Sequence, residues 1–259
     1  MNRTLIQTDL LQFPALFQDL LTATPIYDSS CSQEAQVYFI DRDQGYFLKS
    51  APAGTLQKEA DMDHFFFQHG MGPQVLSYLT DDRDWLLTTR IPGEDCTHFL
   101  SDPKRLCETT AQLLRQLHDT PIDGCPVPDR TTDYVATALA NHRTGHYDAT
   151  LFPDNWGYAS AADAFAVVQE FAPVLKSDTL LHGDYCLPNI ILDHWRFSGF
   201  IDLGTGGVGD RHIDLFWGIW TLFFNLKTDV WSDRFLDAYG RDRIDKDVLK
   251  AIAAFEVFC

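Results

Sequence analysis

Basic residues are scarce in this chain of 259 residues: 20 Lys plus Arg stand against 37 Asp plus Glu, a formal net charge of −17. A surface of that sign repels phosphate backbones and anionic headgroups. It excludes nucleic-acid binding through the bulk surface and docking on acidic membranes. It suits a cationic substrate, and it also serves solubility alone. Long apolar runs are missing. The stretch Ile213–Phe224 is shorter than the roughly 18 residues a membrane span needs, and it contains Asp214. The opening segment MNRTLIQTDLLQFPALFQDLL has no continuous apolar core and no small-residue cleavage site, so no export signal is read there. None of the cysteines (Cys31, Cys96, Cys107, Cys125, Cys186 and Cys259) forms a C-x-x-C pair. They read as reduced thiols of a cytoplasmic protein, neither zinc ligands nor disulfides. Repeats and low-complexity tracts are absent. The 45% hydrophobic and 22% charged content is that of a globular chain of one or two domains.

Periodicity divides the chain. Residues 9–21 read as a short amphipathic helix. Val37–Asp41 and Tyr46–Ser50 read as strands around a turn at Arg42–Gly45, and 55–69 as a helix stopped by Gly70, Gly72 and Pro73. Strands Gln74–Leu79 and Trp85–Thr89 follow, with Asp81-Asp82-Arg83-Asp84 as their turn. Ile91-Pro92-Gly93 then breaks the pattern, so residues 1–91 are expected to form a small α+β unit and 92–259 a larger, mostly helical one. Ser101-Asp102-Pro103 opens a helix that runs to about 118. Further helices are expected at 132–143, 160–171, 212–226, 231–239 and 245–257, with short apolar strands at 180–181, 190–192 and 197–201.

The informative stretch is Leu180–Gly204, LLHGDYCLPNIILDHWRFSGFIDLG. Asp184, Asn189 and Asp202 stand at the ends of apolar strands, where a carboxylate does nothing for folding. Any one of them alone would serve equally well as a turn or cap residue. The spaced triple suits metal-assisted phosphoryl transfer. One carboxylate accepts the proton of an attacking hydroxyl, while a second carboxylate and an amide oxygen hold Mg²⁺. The spacing H-x-D-x-x-x-x-N, then a strand and D-x-G, matches the catalytic and metal loops of protein kinases. A kinase-like small lobe would bind ATP through a strand lysine, and Lys49 ends the apolar strand Tyr46–Leu48. Glu59, early in the following helix, can pair with it. Ser29–Gln36, where a phosphate loop would fall, has no glycine, so hydroxyls such as that of Ser32 would have to offer the donors. A protein kinase itself is excluded, because no activation segment with an A-P-E motif follows Asp202.

HGDYCLPN (182–189) and FSGFIDLGTGGVGDRHIDL (197–215) resemble the catalytic and metal loops of the bacterial aminoglycoside 3′-phosphotransferases, the kanamycin kinases, almost word for word. AQVYFI (35–40), YFLK (46–49), LLTTRIPGED (86–95), LLRQLHDTPIDGCPV (113–127) and FPDNW (152–156) extend the resemblance nearly end to end. It implies a two-lobed, protein-kinase-like α+β fold and an enzyme moving the γ-phosphate of ATP, with Mg²⁺, to a hydroxyl (the 3′-OH) of an aminoglycoside, which confers resistance. By this resemblance Asp184 is the catalytic base, Asn189 and Asp202 bind Mg²⁺, and Lys49, oriented by Glu59, holds ATP phosphates. Arg90 and Ile91, at the linker between lobes, meet adenine through their backbone. Asp154 and Glu256 hold the cationic drug. His118 and His182 read as satisfied structural histidines, and Asp214 as a brace of the catalytic loop or a helix cap. The chain departs from the family at Gly157, at Thr205 (commonly Arg), in the C-terminal acidic pair, of which only Glu256 remains, and in the apolar stretch Trp217–Phe224. Those departures motivate an alternative, a kinase of the same fold acting on a macrolide, choline, a sugar or an amino alcohol. The glycine-free loop motivates another, a catalytically idle binding module. A monomer or weak dimer is expected.

Overall fold

The computed structural model describes residues 3–31, 35–151 and 158–259. They form two compact units: residues 1–95 with 190–204, and residues 96–189 with 205–259.

The first unit is built on an antiparallel sheet of six strands in the order β1-β2-β3-β4-β6-β5. They are β1 (Thr4–Ile6), β2 (Ile26–Asp28), β3 (Gln36–Ile40), β4 (Tyr46–Pro52), β5 (Val75–Thr80) and β6 (Arg83–Thr89). β4 lies at the middle, with Lys49 opposite Val37 of β3 and Leu86 of β6. One face buries Ile40, Leu48, Trp85 and Leu87 against Phe13, Phe17 and Leu21 from in and around helix α1 (Ala15–Leu21). Helix α2 (Gln57–Gln68) follows β4.

The segment expected as one helix over 9–21 is two pieces, a 3₁₀ turn at Leu10–Gln12 and then α1. Pro14 has no N–H to donate and forces Phe13 into an extended conformation. Asp84, expected in a turn, is a buried residue of β6, because its carboxylate accepts the Leu56 N–H at the start of α2 at 2.8 Å. β1 and β2 went unforeseen; three-residue strands carry no measurable period.

The larger difference concerns β7 (Glu94–Asp95), β9 (Ile190–Asp193) and β10 (Arg196–Phe200). β9 pairs with both β7 and β10, and the hairpin packs into the first unit. The Phe200 N–H donates to Met71 O at 2.7 Å, and Ile91 packs over Gly199. The sequence places everything past residue 91 in the second lobe; the structure gives this hairpin to the first unit because its partners are there.

The second unit holds α3 (Pro103–His118), α4 (Arg130–Thr144), α5 (Ala161–Phe171), β8 (Thr179–Leu181), β11 (Gly207–Gly209), α6 (His212–Leu226), α7 (Ser232–Tyr239) and α8 (Lys246–Glu256). Asp102, Asp129, Ser160 and Asp245 cap the starts of α3, α4, α5 and α8 with side-chain oxygens. Tyr134, Ala138, Val168, Leu181, Ile213, Phe216, Ile252, Phe255 and Phe258 share one core. Among the described residues no helix is long and apolar enough to cross a membrane.

Candidate active site

In the first unit β4 delivers Lys49 to two carboxylates. Its neighbours Leu48 and Ser50 are buried on the other face of the sheet, so alternation turns the ammonium toward α2. Lys49 Nζ donates to Glu59 Oε1 at 2.9 Å, to Glu59 Oε2 at 2.8 Å and to Asp202 Oδ1 at 3.0 Å. Burial alone would lower the Lys49 pKa, but Glu59 and then Asp202 outweigh it and hold the ammonium above its ordinary value. Asp202 sits just after β10 in the left-handed region, φ 61, and its side chain is 55% exposed. That conformation aims a carboxylate at Lys49 while leaving an oxygen open. The Arg90 N–H is already donated to Gly45 O at 3.0 Å, and Ile91 is buried. Arg90 therefore has no main-chain donor to spare. Ser32 lies outside the described residues.

In the second unit the loop after β8 carries Asp184 between two anchors. The first is Asp214, fully buried near the start of α6. It accepts the His182 N–H and the Gly183 N–H, each at 2.8 Å. His118 Nε2–H adds a contact at 3.3 Å, and Tyr239 O–H meets His118 Nδ1 at 2.8 Å. Burial lowers the His118 pKa, which keeps the ring neutral and fits that tautomer. Gly183 adopts φ +85, and a Cβ there would lie 2.1 Å from Thr205 O, so only glycine fits.

The second anchor is Asn189, whose Nδ2 donates to Asp184 Oδ2 at 2.8 Å and to Asp184 O at 3.0 Å. The amide nitrogen is thereby spent on Asp184, and the amide oxygen is left as an acceptor. Thr221 Oγ1 receives the Leu187 N–H at 3.1 Å, and Tyr185 O–H donates to Thr110 O at 2.7 Å, which tie the loop to α6 and α3.

Glu256, at the end of α8, is 5% exposed and accepts the Tyr134 O–H at 2.7 Å. Burial pushes its pKa up to about 7. Bonds from Tyr134 and Trp217 and the charge of Arg130 pull it back, while the charge of Asp184 pushes it further. Glu256 is thus a buried carboxyl with neutral donors, electrostatically in touch with Asp184, and not an open surface acid. Asp154 lies outside the described residues.

Tyr134, Trp217 and Asp63 escaped sequence reasoning. Tyr134 and Ala138 fall on one buried stripe of α4, and a periodic stripe says nothing about where a hydroxyl points. Among the described residues no group of three or more His, Cys, Asp or Glu is gathered around one point as a metal cage.

Residues 30–252 match the model of the phosphotransferase enzyme family. A Lactococcus lactis protein named "probable aminoglycoside 3′-phosphotransferase" is 46% identical over 98% of this chain and 97% of its own length. An aminoglycoside 3′-phosphotransferase of Streptomyces fradiae is 31% identical over 76% of this chain and 77% of its own. Among solved structures, an aminoglycoside-3′-phosphotransferase of type VIII superposes with a TM-score of 0.73 at 23% identity, over 95% of this chain and all of its own. A Streptomyces rimosus aminoglycoside phosphotransferase solved with ADP and streptomycin superposes with a TM-score of 0.72 at 23% identity, over 96% of this chain and 99% of its own. The α+β order seen here, an antiparallel sheet followed by mostly helical structure, is the fold of those structures. The chain belongs to the phosphotransferase enzyme family, among the aminoglycoside 3′-phosphotransferases.

Proposed function

We propose that the protein transfers the γ-phosphate of ATP to a hydroxyl, the 3′-OH, of an aminoglycoside and thereby confers resistance. The observation that carries this reading is the double anchoring of Asp184 by Asn189 and the Asp214-braced backbone. A carboxylate held this way is preorganised to align a hydroxyl and to accept its proton late in a loose transfer.

The first unit supplies the nucleotide contacts. Lys49, oriented by Glu59, meets ATP phosphate oxygens. Ile91 supplies the adenine donor and Arg90 its carbonyl. Ser32 offers a phosphate-loop hydroxyl. Asp202 keeps a solvent-facing carboxylate and Asn189 an uncommitted amide oxygen, each an oxygen ligand of the kind that Mg²⁺, a hard cation, takes. Held by these residues, Mg²⁺ would neutralise charge building on the phosphates. Asp154 and Glu256 attract the drug's ammonium groups.

ADP release with an aminoglycoside panel tests this. Asp184→Ala is expected to cut turnover by about 10²–10⁴-fold, the usual worth of a positioned base. The Tm shift given by ATP with Mg²⁺ should survive. Near-normal turnover by that variant overturns the mechanism.

One observation favours a second reading. Trp220 and Phe224 stack at 4.9 Å on α6, and Phe224 is 52% exposed. Such an aromatic face suits a less polar hydroxylated substrate, for example a macrolide. Much higher kcat/KM for such a compound than for kanamycin would establish it.

A further inference from the structure

Arg130 opens α4, next to the Asp129 cap. A cation at that end gains nothing from the helix, whose dipole favours acids there. Nor does it pair with its neighbour: the Asp129 carboxylate is spent on Thr132 N–H, Thr132 O–H and Ser177 O–H, at 3.1, 2.6 and 2.6 Å. The side chain reaches across to another element. Its Nε–H donates to Thr205 O at 3.0 Å, and its guanidinium carbon lies 5.7 Å from the centre of the Tyr134 ring, one turn along α4. The arginine is thus aimed at one backbone oxygen, and a ring holds it there.

That oxygen touches the catalytic loop. It is the atom a Cβ on Gly183 would meet at 2.1 Å, and the Thr205 hydroxyl donates to His182 O at 3.4 Å. The loop backbone is therefore held twice, its N–H groups by Asp214 and its His182 carbonyl and Gly183 Cα by Thr205. Thr205 is followed by Gly206 and Gly207, the latter at φ +146. The peptide carrying Thr205 O has little steric restraint of its own. A donor from outside has to set its direction.

We propose that Arg130 is a positioning residue: its Nε–H fixes the Thr205 carbonyl and, through it, the Gly183–Asp184 backbone in the orientation that presents Asp184 to a hydroxyl. The inference rests on the role given to Asp184 above. Stability gains little from the bond, because Thr205 is exposed and water satisfies its carbonyl when the arginine is gone. The effect falls on the transfer step. It depends on a donor at one place and not on a charge. Glutamine carries an N–H at the same distance along its side chain as arginine Nε, without the charge. Lysine keeps the charge one bond further out and puts a methylene in the donor's place.

The test measures kcat, KM for ATP and Tm, with kanamycin as acceptor, for Arg130→Met, Arg130→Gln, Arg130→Lys and, as a control, Asp184→Ala. Arg130→Met is expected to lower kcat about tenfold, with KM for ATP within about twofold of the parent and Tm within about 3 °C. Arg130→Gln is expected to restore kcat to within about threefold of the parent, and Arg130→Lys to stay as slow as Arg130→Met. If Arg130→Met does not fold, the glutamine and lysine variants carry the comparison. An unchanged kcat in Arg130→Met, a lysine variant as fast as the glutamine one, or a rise in KM for ATP in place of the fall in kcat overturns the proposal. Near-normal turnover by Asp184→Ala overturns the reading of the site itself, and the two failures are thereby told apart.

Discussion

Glu256→Gln is a substitution whose stability effect should change with pH. In the folded chain Glu256 titrates at about 7 against an ordinary 4.5. Below the ordinary value both states keep the proton, and burial costs nothing. Between 4.5 and 7 the unfolded chain releases the proton while the folded one retains it, so stability falls as pH rises. Above 7 the penalty is constant, about 3 kcal/mol for a shift of that size at roughly 1.4 kcal/mol per pH unit. Glutamine cannot ionise, and its amide oxygen still accepts from Tyr134 and Trp217. The amide adds a pH-independent cost of about 1 kcal/mol for an unpaired donor. Urea unfolding at pH 5.5 and 8.5 isolates the titrating part. The stability of Glu256→Gln relative to the parent should rise by about 2 kcal/mol between those values. A pH-independent difference would refute the reasoning, because it would mean the buried carboxyl is never forced to choose between charge and burial. The same variant should bind aminoglycoside about tenfold more weakly near pH 8 by calorimetry, the usual worth of a charge-assisted bond. Gaining stability while losing affinity is the pattern expected of a carboxylate kept for a cation.

Three other substitutions probe the supports. Asp214→Asn sets an amide nitrogen against the His182 and Gly183 N–H groups and should cost about 3–5 kcal/mol in urea unfolding, with turnover lost; a cost below about 1 kcal/mol would remove Asp214 as the brace. Gly183→Ala should not fold to an active enzyme, since its Cβ would lie 2.1 Å from a backbone oxygen at a left-handed φ; normal turnover would show that the loop can shift. Gly199→Ala presses on the Ile91 Cδ1 tip at 2.6 Å, with Ile91 Cγ2 and the Met71 carbonyl oxygen at 3.3 Å, so it should fold, lose about 1 kcal/mol and raise KM for ATP a few-fold by displacing Ile91; an unchanged KM would separate Ile91 from the adenine.

What the sequence made legible follows the distance over which each cause acts. Asp184, Asn189 and Asp202 stood out because carboxylates and amides at apolar strand ends have no folding reason to be there. The α6 bounds came out as expected because an apolar run ending at Lys227 needs no partner to define it. The Lys49–Glu59 pair was readable because a strand and the next helix bring them together. The β9–β10 hairpin was misplaced because its attachment depends on Asp95 pairing with Ile191, which no local pattern announces. Pro14 and Asp84 misled for the opposite reason: a broad apolar stripe and a polar run read plausibly until one missing N–H and one buried hydrogen bond decide otherwise. Glu256 is the sharpest case. In Phe255-Glu256-Val257-Phe258 it looks like an exposed acid in an apolar tail. Its burial is set by Tyr134 on α4 and Trp217 on α6, two helices far away in sequence. Residue type was therefore enough to suggest a role for Glu256, but only the packing shows that its carboxyl lies inside the core, where charge is expensive. That burial is why its proton, and not merely its sign, enters the stability of the fold.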